Sequence, residues 1–442
     1  MSSKEKADTA QTVKDSQEPL IGQEEEEVVL SDETISFGTA LKESSKLAIL
    51  QVMGTMFHPI YSIVNNVVLG HANDPVLLAG LGLGALTVGI TGLSLGICFA
   101  FGAGTFMSQE FGAENHRNIQ VYLYRSIFLN TCAWLILFIP SLFIDSFYRA
   151  IGQDEDIAAY GARYVHTVMP FMLLELINWS YLQFCTSQKV LTVMVISIAT
   201  GALTHGALIG ILYFGLDWGF TGVCIATASV FVGRFIATMT FVKCKGDSFK
   251  WYEDVRLFSR ETVTNLKPMI KISVLAMLMG IWGWWAFEIF TFMATYLGET
   301  EAAAQTQMRS IGLLTFMLPV GYSGASGILT GNAIGASKPK LAITYYKVCM
   351  VAALCITVLQ MTVLWAAMDA MIRMFTNNEA IKLLLADAWP ILIIFTFFDT
   401  TQAMGMSVIK ASGKQGWGAF ITGTAYFMFG IPVSYLCAFK NE

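Results

Sequence analysis

Charge is scarce in this chain of 442 residues: Asp, Glu, Lys and Arg make up 13%, against 55% hydrophobic residues. A soluble domain carries about 25% charged residues. A chain this poor in charge cannot cover a water-facing surface, so lipid is its natural solvent. Histidine is rarer still, five in all. No CxxC pairing occurs among Cys98, Cys132, Cys185, Cys224, Cys244, Cys349, Cys355 and Cys437. That excludes a structural metal site and a disulfide framework, and the cysteines read as small buried hydrophobes. No Gly-rich P-loop pattern is present, so nucleotide hydrolysis is excluded as an energy source. Nothing points to an enzyme, a resident cofactor or a nucleic-acid partner. The first residues show no signal-peptide pattern.

What charge there is lies unevenly. Residues 1–35 hold ten acids against Lys4, Lys6 and Lys14. A stretch so polar cannot offset its ordering entropy, so residues 1–40 are expected to form a disordered acidic cytosolic tail. Beyond it, apolar runs long enough to span a bilayer, about 20 residues, recur at 44–69, 77–106, 121–145, 158–185, 190–213, 219–243, 268–296, 302–331, 343–368, 387–409 and 416–438. The expected fold is an all-α polytopic membrane protein with eleven spans. The basic stretch 244–267, with Lys245, Lys250, Arg256, Arg260 and Lys267, divides it into an N-lobe (41–243) and a C-lobe (268–442). Arg117, Lys189, this linker, Lys338, Lys340 and Lys414 fall on one side, which the positive-inside rule makes cytosolic together with the N-terminus.

The lobes echo each other. Gly112-Ala113 and Gly335-Ala336 lie 223 residues apart, both just after the second span of a lobe. Thr186-Ser187-Gln188 is echoed by Gly413-Lys414-Gln415. Two similar six-helix-type bundles, the second short by a helix, read as a transporter built from repeats, with its site between or within the lobes.

Five stretches carry a resemblance to a known family. They are Leu69-Gly70-His71 with Leu78-Ala79-Gly80, Ser108-Gln109-Glu110-Phe111-Gly112-Ala113, Trp284-Trp285-Ala286-Phe287-Glu288, Leu318-Pro319-Val320-Gly321 with Gly331-Asn332-Ala333-Ile334-Gly335-Ala336, and Asp399-Thr400-Thr401-Gln402 running to Ser412-Gly413-Lys414-Gln415. Their order and spacing resemble the eukaryotic branch of the multidrug and toxic compound extrusion (MATE) family, over residues 40–440. The resemblance implies two pseudo-symmetric bundles around a V-shaped central cavity. It also implies export of organic cations in exchange for H⁺ or Na⁺, in a plasma or vacuolar/lysosomal membrane. The chain departs from the family pattern in showing eleven spans rather than twelve. Gly283, Ser310 and Asn65 stand where members often carry acids.

Ionisable groups inside a bilayer cost about 2.5–3.5 kcal/mol each on insertion scales, so each needs a partner or a function. Along the helices Glu288, Arg309 and Asp399 lie about 13, 10 and 18 Å below the outer end, at 1.5 Å per residue. They can converge on one pocket. A carboxylate beside the indoles of Trp284 and Trp285 suits a bulky organic cation. The competing reading is a structural Glu288–Arg309 pair with the tryptophans packed in the core. Gln305 and Gln402 complete this C-lobe set. In the N-lobe, Glu175 is either a second proton site or the partner of Arg234. Asn65 either lines the cleft or bonds between helices, and His205 reads as a hydrogen-bonded packing residue. The expected partners are a small organic cation and the lipid bilayer, with the protein a monomer. Two other functions stay open: a lipid or lipid-linked glycan flippase, which would favour Arg234 and Arg309 lining the cavity, and a non-transporting pseudo-transporter.

Overall fold

A computed structural model describes residues 35–56, 60–71, 74–95, 97–376 and 378–439. Among these every regular element is a helix. Span 1 comprises Phe37–Met56 and Ile60–Gly70; span 2 comprises Pro75–Val88, a π-helical turn Gly89–Leu95 and Cys98–Gly112. Span 3 is His116–Ser141, span 4 Glu155–Ser187, span 5 Thr192–Leu208 continuing as the π-helical Ile209–Gly215, and span 6 Gly219–Cys244. Spans 7 to 10 are Lys267–Thr295, Glu299–Gly335, Pro339–Ala366 and Glu379–Ala411. Span 11 joins Gln415–Gly423, the π-helical Thr424–Gly430 and Ile431–Phe439.

Ten of these helices are long and apolar enough to cross a membrane, which makes the chain an integral multi-pass membrane protein. Span 4, at 33 residues, is long enough but lies outside that set, since its buried Glu175, Asn178 and Ser180 make it less apolar. The repeat is visible in detail. Short helices follow spans 3 and 9, Ile144–Ala150 with Asp145 and Arg149, and Met368–Phe375 with Asp369 and Arg373, at an offset of 224 residues.

Helix begins inside the range expected to be tail, at Phe37, and the Ser36 hydroxyl accepts the Thr39 amide at 3.2 Å, the bond expected of an N-cap serine. Ala40, expected to belong to the tail, is fully buried against spans 8 and 9. Residues 1–34, the rest of the expected tail, lie outside the described residues. The reading of all cysteines as buried also needs correction. Cys98, Cys185, Cys224 and Cys349 are buried, but Cys244, Cys355 and Cys437 are exposed. An apolar thiol on a lipid-facing helix needs no protein cover.

The lobes meet at the lysine-rich end. The half of span 1 nearest that end, Phe37–Met56, packs against spans 8 and 9, whereas Ile60–Gly70 packs against spans 2, 5 and 6 of its own lobe. Span 2 divides likewise: Cys98–Gly112 meets spans 7, 8 and 10, and Pro75–Val88 stays within the N-lobe. At the closed end the backbones nearly touch. A Cβ on Gly112 would stand 1.8 Å from the Asn332 carbonyl oxygen, and one on Gly335 would stand 1.8 Å from that of Gln109. These contacts are exchanged by the 223-residue offset, so the repeats meet across a pseudo-two-fold axis as in an isologous interface. Hydrogen bonds fasten the seam. Gln109 Nε2 donates to the Ala411 carbonyl (2.8 Å) and Gln415 Nε2 to the Thr105 hydroxyl (3.0 Å). The Tyr345 hydroxyl donates to Glu43, which also accepts from Lys189 (2.6 and 2.7 Å).

The stretch 244–267 is docked rather than loose. Arg117 at the start of span 3 bonds to both Asp254 (2.7 Å) and Glu261 (2.6 Å), and Gln120 holds the backbone of Tyr252. The hydrogen bond from Arg117 keeps the Asp254 carboxyl below its ordinary value. A group with a lowered folded value stabilises above its unfolded pKa and stops doing so as pH falls through the folded one. Docking is therefore expected to hold at neutral pH and to loosen only in strong acid. Arg117→Ala is expected to loosen it at neutral pH, read as faster tryptic cleavage after Lys250 and Arg256. An unchanged cleavage rate would show that Phe249 and Val255, both buried, hold the segment without the ion pairs.

Candidate functional site

Each lobe contains a polar cluster, and the two differ in access. In the C-lobe, span 7 carries Glu288 and span 8 carries Arg309. They meet as a two-pronged pair, Arg309 Nη2 to Oε1 at 2.5 Å and Nη1 to Oε2 at 2.9 Å. The planar guanidinium fits a carboxylate in this way and fixes its orientation. The pair is not sealed: the Glu288 side chain is 54% exposed and that of Arg309 30%. The expected burial of Glu288 beside the indoles is thus not found. Trp284 and Trp285 are also exposed, at 63% and 47%. Trp285 stands edge-on to Trp282, which in turn packs on Phe427 of span 11. Gln305 lies one turn before Arg309 on span 8, hence on the same face.

Asp399 does not join that ion pair. It is half-buried on span 10, and among the described residues Arg309 takes Glu288 as its partner. Its neighbour one turn on, Gln402, accepts a hydrogen bond from the Tyr426 hydroxyl (3.2 Å). Tyr426 lies in the π-helical turn of span 11. Pro432 has no N–H to return to the Met428 carbonyl, so a regular ladder cannot run through this stretch, and the helix widens. Gly283, standing where an acid is common in the family, faces the Tyr426 ring, and a Cβ there would lie in ordinary contact with it. Phe287 ties the two patches together. It adjoins Glu288 and lies 6.2 Å from the Tyr426 ring and 6.1 Å from that of Phe395, one turn before Asp399. Sequence reasoning missed Tyr426 and gave Phe287 no role; Pro432 beside Gly430 was the available signal for the first.

The N-lobe cluster is closed. Glu175 is fully buried and pairs with Arg234 of span 6, itself 2% exposed. The guanidinium also lies over the Trp179 ring, 5.5 Å from its centroid. Gly201 admits the arginine stem, since a Cβ there would come within 2.6 Å of Arg234 Cγ. Asn65 is buried rather than lining a cleft. Its amide donates to Thr227 (2.8 Å), and its carbonyl faces His205 Nε2 at 3.0 Å. These bonds tie spans 1, 5 and 6 together, each worth about 0.6 kcal/mol in a membrane.

The same architecture recurs in known proteins. The sequence model of the MatE family matches residues 52–210 and 276–436, one stretch in each lobe. Mouse multidrug and toxin extrusion protein 2 is 26% identical over 392 residues, covering 87% of this chain and 66% of its own length. This chain thus spans about two thirds of that relative. Protein DETOXIFICATION 1 of Arabidopsis thaliana is 25% identical over 410 residues, covering 91% and 84%. The crystal structure of the eukaryotic MATE transporter AtDTX14 superposes with a TM-score of 0.81 at 20% identity, over 91% of this chain and 90% of that one. With both repeats matched and the two-lobed helical bundle shared, this chain belongs to the MatE family of membrane transporters.

Proposed function

We propose that the protein is a secondary antiporter, exporting organic cations in exchange for H⁺ or Na⁺ by alternating access. The observation that carries this reading is the exposed Glu288–Arg309 pair beside Trp284 and Trp285, in a molecule closed at its lysine-rich end. Arg309 occupies the carboxylate as an internal cation. An organic cation that takes Glu288 displaces it, and an indole face attracts such a cation by about 0.5–2 kcal/mol. Asp399, with no ion-pair partner among the described residues, is the second acid through which the coupling ion is exchanged. Two acids that share a lobe but not a partner allow ion and substrate to be bound in turn. The lysine-rich end is cytosolic on the positive-inside rule. The Glu288–Arg309 pair cancels the arginine charge on which a flippase reading depends.

The test uses proteoliposomes with imposed pH and Na⁺ gradients and a fluorescent organic cation. At matched expression, Glu288→Gln is expected to lower flux at least about tenfold, the loss of roughly 1.4 kcal/mol of binding. Arg309→Gln is expected to lower the apparent KM for the cation, because the internal competitor is gone. Wild-type flux in Glu288→Gln would overturn the role of this carboxylate. Transport indifferent to both gradients would overturn antiport.

A further inference from the structure

On the lysine-rich face a cavity of about 430 Å³ lies across the seam between the lobes. His116 at the start of span 3, Lys189 between spans 4 and 5, and Lys250 of the docked linker line one side. Lys338 and Tyr345, at and just after the start of span 9, line the other. The lining holds three lysines and one carboxylate, that of Glu114, and Lys189 is also paired with Glu43 just outside the lining. Spans 3 and 9 both begin at the cavity rim, so the positive ends of their helix dipoles add partial positive charge. His116 Nδ1 is buried and has no hydrogen-bond partner. None of these groups belongs to the Glu288–Arg309 site proposed for the substrate.

We propose that this cavity binds a phosphate-bearing anion, and that the anion clamps the lobes together at the lysine-rich end. Lysines are compact point charges with three rotatable donors, suited to the several oxygens of a phosphate group. The loops that carry them leave the helices where lipid headgroups lie, so the phosphate comes either from an anionic lipid or from a soluble organic phosphate. The lysines of the two lobes face one cavity only while this end is closed. A ligand that bridges them therefore binds the closed state better than the open one and shifts the equilibrium by that difference in affinity. Glu43 supports the arrangement by holding Lys189 and Tyr345 from opposite sides of the seam.

The experiment follows the thermal midpoint of the purified full chain, because a ligand of the native state raises it. In neutral phosphatidylcholine nanodiscs the protein is titrated with inorganic pyrophosphate, and with sodium chloride at equal ionic strength. In parallel, nanodiscs containing phosphatidylinositol bisphosphate are compared with neutral ones. A rise with pyrophosphate but not chloride identifies a site open to soluble phosphates. A rise only with the bisphosphorylated lipid identifies a headgroup site. In either case Lys250→Gln, at an exposed position, and Lys338→Gln are each expected to weaken the response about tenfold, equivalent to roughly 1.4 kcal/mol. No rise with either probe, or a rise that both variants retain in full, overturns the proposal. Neither readout depends on which substrate is exported.

Discussion

Gly112→Ala is expected to abolish most transport, whereas Gly405→Ala is expected to leave it intact. Both replace a helical glycine by alanine, a change that favours helix by about 1 kcal/mol. Nothing lies within 4 Å of a Cβ at 405. At 112 the new carbon would fall 1.8 Å from the Asn332 carbonyl oxygen and 2.9 Å from the Ala336 nitrogen, both backbone atoms. No rotamer change can relieve that clash, so the lobes must separate. Overpacking typically costs about 1–3 kcal/mol, enough to reduce the closed population from about fivefold to more than a hundredfold. Gly335→Ala, its counterpart across the axis, is expected to behave alike. Thiol labelling of Ser108→Cys, a buried position at the seam facing Gly331, measures the opening beside flux. Labelling and flux unchanged in Gly112→Ala would mean that the seam is not the gate.

The second large effect is expected in the N-lobe. Removing one partner of the Glu175–Arg234 pair leaves an uncompensated charge in a sealed core, and such losses run to about 3–5 kcal/mol. Glu175→Met and Arg234→Met are each expected to lower the thermal midpoint sharply. The double variant is expected to recover most of the loss, because methionine fills irregular core space and no charge remains. Single variants as stable as wild type would show that the pair is solvated after all. Flux separates the two roles open to Glu175. A double variant that is stable and still transports marks the pair as structural. One that is stable but inactive would make Glu175 a second coupling site.

The two lobes and the apolar spans were legible because a bilayer imposes one strong requirement, an apolar run of sufficient length. Even span 4, polar on its buried face, kept enough apolar residues to be read. The start of span 1 was missed because the acidic composition of residues 1–35 masked the cap at Ser36. Depth along the helices placed Glu288 and Arg309 within reach of each other, and the structure pairs them. It could not place Asp399, because depth fixes one coordinate and the direction a side chain faces fixes the rest. Tyr426 was not legible for a related reason: a π-helical turn shifts the register of span 11, so helical spacing does not show what it faces. The repeat located Gly112 and Gly335 on one side of the membrane. Their mutual contact required knowing that a repeat axis runs between them.

That contact has a kinetic meaning. At Gly112 and Gly335 the seam is main chain against main chain, with no side chain from either glycine to interlock. At these two points the surfaces part without any rotamer having to turn, so parting them there meets little friction. Discrete bonds beside them, those of Gln109, Gln415 and Glu43, resist separation. The closed end behaves as a bearing held by latches: the glycines set how smoothly it moves, and the polar side chains set how long it waits.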